Sequence, residues 1–444
     1  MACLKLKKYT SIILVGAISA IAIIAGVWII NKVQASYENT DKEKNQPVTI
    51  KFSYHYSENE ASGKAMANII RDFNASQSNI IVEGSAGASI DRQLVSIMSN
   101  NTPDIGYTVW PSALRWAQNG ALEPLTSYVE NSNDFDLGDF LPATVNITKY
   151  KDEIYAIPFY VQTMALYYNK DILNEAGFTK PPETLDELKL MAKAMTKVND
   201  KGEIQRMGFL PDYPWVDNVL WPILFGAEFY DQKKNEATTT SKEYIRAIDF
   251  QDWFYKEWGW DTISNFKLKF GSDEQGPFYT GKLAMVMGGE WVARDIKQFA
   301  PNMNFGICSF PYPTDRPDLK ESSFISPAVI YMPSGSNHKE EAWQFINYLT
   351  STETMLKFAN GYKSLMARKS VITNPQIKID PELKILADFA LSENIKSFPP
   401  LPIVDEYLMN LSEQTNLVFK QKKTPYEAMN YVKKVIDPLL KQKK

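Results

Sequence analysis

Apolar residues in the first part of the chain follow two different periods, and these periods alternate. Short apolar runs at Val48 to Phe52, Ile80 to Val82 and Ile105 to Val109 have the length of buried strands. Between the first two runs, a helical spacing of i, i+3, i+4 and i+7 is formed by Met66, Ile69, Ile70 and Phe73. The same spacing follows the second run, from Ile90 to Met98. Strand and helix in alternation predict an α/β protein whose sheet is mostly parallel, with helices on both faces.

The second part of the chain repeats the alternation with more aromatic residues. Further strands are predicted at Ala165 to Tyr168, Phe305 to Cys308 and Val329 to Met332. A helix is predicted from Ser241 to Trp258. Two capping boxes, each a threonine followed three residues later by a glutamate, mark further helix starts at Thr184-x-x-Glu187 and Thr424-x-x-Glu427.

The stretch from Gly281 to Trp291 combines a predicted strand with candidate chemistry. Leu283 to Met287 is wholly apolar, the glycines at 288 and 289 leave backbone unobstructed, and Glu290 and Trp291 follow directly. Ligands of open α/β sheets collect at the carboxyl ends of strands, so this stretch is predicted to form one wall of a ligand cleft. The alternative is that Trp291 packs in the core, which the stretch alone favours equally.

The N-terminus carries a targeting signal. Lysines precede Ser11 to Ile30, a span of 20 residues without a charge that is long enough to cross a bilayer as a helix. We predict a signal segment or membrane anchor at residues 1–36, preferably uncleaved, and a polar tether at 37–46. Val33-Gln34-Ala35 is an alternative cleavage site that would leave a secreted protein.

Composition and charge narrow the class of protein. The chain has 444 residues, enough for two domains, and its net charge of −4 gives no indication of nucleic-acid binding. The 10 Trp, 23 Tyr and 23 Phe are numerous enough to suit flat, partly apolar ligands as well as a core. Cys3 and Cys308 lie on either side of the apolar span, so no intrachain disulfide is expected.

The sequence gives little support for a catalytic site. The two histidines, His55 and His338, do not fill a metal coordination sphere, and no Gly-x-Ser-x-Gly elbow is present. Gly276 to Lys282 has the spacing of a phosphate-binding loop but precedes a strand, whereas such a loop joins a strand to a helix. The many acidic residues leave a glycosidase pair open. We expect no cofactor and no metal site.

Five motifs in order carry a resemblance to a known family. They are Pro103-Asp104-Ile105 leading to Trp116 to Leu125, then Tyr155-Ala156-Ile157-Pro158-Phe159, Pro182 to Leu188, Gly281 to Trp291, and Glu341 to Ile346. This order resembles the extracellular solute-binding proteins of the maltose-binding type, the capture subunits of carbohydrate ABC importers. The resemblance extends from Val48 to Leu440. The sequence departs from the family in one respect: no lipidation cysteine follows the apolar span.

The resemblance implies an α/β, two-lobe, periplasmic-binding-protein-like fold with a hinge, preceded by the N-terminal transmembrane or signal helix. By analogy the N-terminal lobe takes 47–158 and 311–366, and the C-terminal lobe takes 159–310 and 367–444. The candidate ligand-binding residues implied in this way are Tyr54, Tyr56, Trp110, Gln162, Trp215, Trp221, Glu290, Trp291, Ser326 and Tyr407. An aromatic ring can stack on the C–H face of a sugar while fixed polar groups bond its hydroxyls.

The function implied is capture of a mono- or oligosaccharide by a non-enzymatic monomer and its delivery to ABC importer permease subunits. The protein is expected at the extracytoplasmic face of the bacterial cell membrane, held by its N-terminal helix, or secreted if cleaved after Ala35. Two alternatives stay open: a binder of another solute such as a glycerol phosphoester, and a surface glycosidase. A phosphate site would need clustered cations, and the predicted cleft loops supply Arg115, Lys282 and Arg294.

Overall fold

A computed structural model describes residues 26, 28–29, 31–32, 46–99, 102–213, 219–270, 276–401 and 403–442. The predicted apolar span from Ser11 to Ile30 lies largely outside these residues. In the part of the chain that is described, no helix combines the length and apolar character needed to cross a membrane.

Sixteen strands are formed by the described residues. They are β1 Val48–Ser53, β2 Ile80–Ser85, β3 Ile105–Val109, β4 Lys149–Tyr150, β5 Glu153–Ile154, β6 Ala156–Thr163, β7 Ala165–Asn169, β8 Lys197–Val198, β9 Ile204–Phe209, β10 Tyr230–Asp231, β11 Glu236–Ala237, β12 Leu283–Gly288, β13 Phe305–Cys308, β14 Ser323–Tyr331, β15 Leu365–Met366 and β16 Ile395–Lys396. Most of them belong to two sheets, which we call the first and second sheets.

The helices cover these sheets and close the C-terminal part of the chain. They span Ala61–Ser76, Ile90–Ile97, Trp110–Gln118, Thr126–Asn131, Pro142–Asn146, Lys170–Glu175, Leu185–Met195, Leu220–Leu224, Lys242–Trp258, Trp260–Leu268, Glu290–Phe299, Lys339–Leu349, Thr352–Tyr362, Lys369–Ile372, Pro381–Ala390, Val404–Phe419 and Pro425–Gln442. The last two pack on each other and on the helix Lys242–Trp258, so the C-terminus joins the lobe of the second sheet.

The two sheets define two lobes. In the first sheet the strand order is β15-β6-β14-β3-β1-β2, and β16 also pairs with β14. In the second sheet the order is β13-β7-β12-β9-β8. A short antiparallel pair, β4 with β5, precedes β6, and another, β10 with β11, precedes the helix Lys242–Trp258.

The sheets are mixed, so the prediction of a mostly parallel sheet is wrong. In the first sheet β1 pairs in parallel with β2 and β3, whereas β14 is antiparallel to both β3 and β6. In the second sheet β12 is parallel to β9 but antiparallel to β7. The physical reason is the crossing between lobes: β6 leads out of the first sheet and β14 leads back into it, so these neighbours run in opposite directions.

The first crossing takes place at Met164. Thr163 still pairs with Ile325 of the first sheet, while Ala165 already pairs with Gly288 of the second. This crossing follows the predicted boundary at 158 by a few residues, because β6 continues as a full partner of β14. The lobe boundaries themselves stay a prediction.

Several predicted elements are confirmed. The capping box at Thr184 forms completely, with the threonine accepting from the Glu187 amide and the Glu187 carboxylate accepting from the Thr184 amide. Predicted strands at Ile105 to Val109 and Phe305 to Cys308 have the observed bounds. The helix after β12 begins at Glu290. Glu290 and Trp291 therefore lie in its first turn.

Candidate functional site

Glu290 is brought to the boundary between the lobes by the end of β12. Glycines at 288 and 289 are required there, because a Cβ on Gly289 would lie 2.2 Å from Cζ3 of Trp291, and one on Gly288 would lie 2.4 Å from Cγ2 of Val292. The Gly289 carbonyl accepts a hydrogen bond from the Tyr167 hydroxyl at 2.8 Å. The strand, the glycine pair and this bond together fix the first helical turn that carries Glu290 and Trp291.

A hydrogen bond joins the two lobes at Glu290. The hydroxyl of Tyr160, on β6 of the first sheet, donates to Oε1 of Glu290. Oε2 of Glu290 is buried and has no hydrogen-bond partner among the described residues. Glu290 is only 8% exposed, and burial raises its pKa to about 7, against small opposing effects of its own backbone amide and of Arg294.

Four tyrosines of the first lobe face Glu290, and we call Tyr56, Tyr107, Tyr160 and Tyr362 the tyrosine wall. The hydroxyls of Tyr56 and Tyr107 are hydrogen-bonded to each other. Ring centroids of Tyr362 lie 5.9 Å from Tyr56 and 6.2 Å from Tyr160. Burial is the main cause of a raised pKa at Tyr56, Tyr107 and Tyr362, and the negative charge of Glu290 adds to it at all three. Tyr56, Tyr107 and Tyr362 are therefore neutral at pH 7.

Arg294 places a positive charge near this boundary. It lies one turn after Glu290 on the same helix and is exposed to solvent. Its charge opposes the rise that burial causes in the pKa of the Tyr362 phenol. The boundary at this point thus contains one carboxyl, one guanidinium and the tyrosine wall.

Trp110 and Ser326 lie together in the first lobe, where Trp110 is buried. The indole N–H of Trp110 donates to the Ser326 hydroxyl at 3.1 Å. The indole stacks on Phe398, with ring centroids 6.1 Å apart and an interplanar angle of 27°. Gln162 is half-buried on β6 and lies opposite Ser326 in the strand register. These polar and aromatic groups come from four separate chain segments, and Trp110 and Ser326 are 216 residues apart.

Three predicted ligand residues lie in the core instead. Trp221 is 1% exposed, packs on Phe250 and donates its indole N–H to the Pro211 carbonyl at 2.6 Å. Tyr407 is fully buried and donates to the Phe229 carbonyl at 2.7 Å. Both satisfy their polar atom with backbone, which corrects the expectation that they line the cleft.

Tyr54 also belongs to the core, where its ring lies 5.2 Å from that of Phe52 and it is 3% exposed. Tyr56, two residues later, is the residue of that loop that reaches the lobe boundary. Trp291 is partly buried and packs against both hydrophobic clusters of the described residues. Trp215 lies outside the described residues.

Sequence patterns did not mark Tyr107, Tyr160, Tyr362 or Phe398. For Tyr160 a signal was present, because it is two residues before Gln162 on one strand, and residues two apart share a face. Tyr362 ends the helix Thr352–Tyr362, and no local pattern marks it. A metal site is not indicated: the described residues contain no group of three or more His, Cys, Asp or Glu side chains placed to hold an ion.

Comparison with known proteins adds the family. A family model described as bacterial extracellular solute-binding protein matches residues 68–385, well over half of the chain. The chain belongs to this family. The family resemblance found in the sequence motifs is confirmed.

Relatives within the family differ in what their names say they bind. The chain is 26% identical to a maltotriose-binding protein of Pyrococcus abyssi over 307 residues, which make up 65% of this chain and 59% of that protein. It is 22% identical to the sn-glycerol-3-phosphate-binding periplasmic protein UgpB of Salmonella typhimurium over 412 residues, 86% of this chain and 90% of that protein. The match to the first relative thus spans less than two thirds of its length.

Solved structures share the fold. CpMnBP1 with mannobiose bound has a TM-score of 0.72 and 22% identity, covering 87% of this chain and 99% of that one. The cyclic alpha-maltosyl-1,6-maltose binding protein from Arthrobacter globiformis has a TM-score of 0.73 and 17% identity, covering 89% of this chain and 100% of that one. Both confirm the two-lobe α/β periplasmic-binding-protein-like fold.

Proposed function

We propose that the protein captures a sugar outside the cytoplasmic membrane and presents it to an ABC importer without altering it. The observation that carries this proposal is the lobe boundary at Glu290. There a carboxyl of the second lobe meets the tyrosine wall of the first, beside the partly buried indole of Trp291. Aromatic rings and fixed hydrogen-bonding groups are the two kinds of contact that a sugar ring uses.

Membership of an extracellular solute-binding family supports capture rather than catalysis. The fold supports a mechanism in which a ligand that touches both lobes favours their closed arrangement, because it can shift the equilibrium only by binding one state more tightly. The permease partner, attachment through residues 1–36 and the monomeric state are parts of the same proposal.

A second candidate ligand is a glycerol phosphoester, and the long match to the Salmonella protein favours it. Clustered cations would be expected at such a site. Of the three predicted cations, Arg115 pairs with Asp405 at 2.5 Å. Lys282 lies directly before β12, at the opposite end of this strand from Glu290 and about 20 Å away for a six-residue strand. Only Arg294 of those three lies beside Glu290, which makes a phosphoester the weaker candidate.

A thermal-shift screen tests the proposed function. Neutral mono- and oligosaccharides, including mannobiose and maltotriose, are compared with sn-glycerol 3-phosphate at matched concentration. A ligand that binds only the folded state raises the melting temperature, by an amount set by its concentration relative to Kd. We expect a neutral sugar to raise it and chromatography to recover that sugar unchanged. Shortened sugars that appear with time would identify a glycosidase instead.

A further inference from the structure

The turn between the last two helices concentrates positive charge on a chain that is acidic as a whole. The net charge of the chain is −4, yet residues 414–444 contain eight lysines and two acidic residues. Three of these lysines lie within four positions of the turn, and we call them the lysine turn: Lys420, Lys422 and Lys423. The first two are exposed and the third is half-buried. Like charges this close repel each other, so stability alone does not explain the turn.

The carboxylates beside the lysine turn are engaged by other groups. Asp252 pairs with Lys256 at 2.6 Å. Glu427 accepts from the backbone N–H and from the hydroxyl of Thr424, both at 2.9 Å, and feels Lys423 through its charge. Within the described part of the chain, no member of the lysine turn forms an ion pair with a carboxylate. Its charge is therefore available to an anionic partner.

Aromatic rings flank the lysine turn on both sides. The ammonium of Lys420 lies 4.7 Å from the ring centroid of Trp260, and that of Lys423 lies 4.5 Å from that of Tyr431. Tyr426 and Tyr431 are 57% and 46% exposed, and Trp260 is half-buried. Lysines that attract anionic headgroups, next to Trp and Tyr rings that favour the headgroup level, are the combination that suits a membrane surface.

We propose that the lysine turn and its flanking rings, Trp260, Tyr426 and Tyr431, rest on the anionic phospholipid surface of the membrane. Each lysine near such a surface strengthens attachment by about 5-fold. Three lysines hold a freely diffusing protein only weakly, but a second attachment raises their effective concentration at the surface. The predicted tether at 37–46 supplies one, because ten residues extend at most about 35 Å.

Contact at the lysine turn would fix the orientation of the protein. The tether enters the first lobe at β1, whereas the lysine turn belongs to the lobe of the second sheet. Both lobes would then be held at the same membrane, with the boundary between them at a defined height above it. This inference rests on the proposed location outside the cytoplasmic membrane and not on which solute is bound.

Hydroxyl-radical footprinting of the full chain tests this contact. The chain is reconstituted into vesicles of phosphatidylcholine alone, or of phosphatidylcholine and phosphatidylglycerol in equal amounts, without any solute. Mass spectrometry then gives the oxidation rates of Tyr426 and Tyr431, with Tyr150 of the first lobe as the internal reference. We expect both tyrosines to be oxidised about 5-fold more slowly in the anionic vesicles, and high salt to remove the difference.

Two triple variants separate the lysine turn from net charge. The change of Lys420, Lys422 and Lys423 to Gln should make the two oxidation rates equal in both kinds of vesicle. The control changes three other exposed lysines to Gln, and it should keep the protection of the wild type: Lys151, Lys180 and Lys201. Circular dichroism confirms that both variants fold.

Several results would overturn the contact. They are equal oxidation of wild type in both kinds of vesicle, protection that persists without the three lysines, and protection that appears only after permease subunits are added. The last would identify a protein partner instead. A chain that floats with neither kind of vesicle would contradict membrane attachment as well. Because the assay contains no solute, a sugar response in the thermal-shift screen would leave sugar capture standing in each of these cases.

Discussion

Glu290 should make the stability of the ligand-free protein depend on pH. Its pKa is about 7 in the folded chain and about 4.5 when unfolded, so the folded state holds the extra proton between these values. Stability therefore falls as pH rises from 4.5 to 7, and the penalty is fully present above pH 7. We expect Glu290→Gln to stabilise the protein by about 2–4 kcal/mol at pH 8 and by little at pH 4.5.

Denaturant unfolding at the two pH values measures this difference. The exposed Glu130→Gln removes one carboxylate from the surface and serves as the control. A stabilisation that is the same at pH 4.5 and pH 8 would show that Glu290 is not the titrating group.

Trp291→Ala separates the two interpretations of that indole. As a stacking surface for a sugar, its loss should cost about 2–4 kcal/mol of binding, which is typical of an interface hot spot. As a core residue, its loss should instead lower the stability of the ligand-free protein by about 3–5 kcal/mol. Because Trp291 is only partly buried and directly follows Glu290 at the lobe boundary, we expect mainly a loss of affinity. Calorimetry and ligand-free melting on one variant decide between these results.

The role of a single residue could be predicted only where the local sequence pattern also fixes its position in the fold. Glu290, at the end of an apolar strand with a glycine pair, was identified from the sequence and does lie at the lobe boundary. The sequence could not assign Trp221 and Tyr407 to the cleft or to the core, because an aromatic residue with a polar atom suits both places equally. Their hydrogen bonds to distant backbone carbonyls, at Pro211 and Phe229, exist only in the folded chain.

At the scale of an element, the turn between β12 and the helix Glu290–Phe299 is the part that the site depends on. Gly289→Ala places a Cβ against the Trp291 ring and must displace it. We expect sugar affinity to fall, together with a change in tryptophan fluorescence, while the circular dichroism of the helices stays the same. Gly335→Ala is the control, since its Cβ meets Thr102 at an ordinary 3.5 Å. Equal affinity in both variants would show that the position of Trp291 does not matter for binding.

Elements were easier to predict than their arrangement. Strand and helix periods, and the capping box at Thr184, gave bounds close to those observed. Strand direction was mispredicted because it depends on which strands cross between lobes. The pairing of β14 with both β3 and β6 joins residues more than 150 positions apart, and no local period encodes it.

At the scale of the whole molecule, the bond from Tyr160 to Glu290 links lobes that are joined by crossing strands. A ligand that contacts both lobes would add to that link, so binding and closure are expected to be one event. The family resemblance was detectable in the sequence because its motifs are short and ordered. The tyrosine wall was not, because it is assembled from four separate elements.

Small-angle X-ray scattering on the ligand-free protein, and again with a saturating neutral sugar chosen from the thermal-shift screen, tests the central claim most directly. The account predicts a smaller radius of gyration with the sugar, and no such decrease with the same concentration of sn-glycerol 3-phosphate. A sugar that binds tightly while the radius stays unchanged would contradict capture by closure of the two lobes.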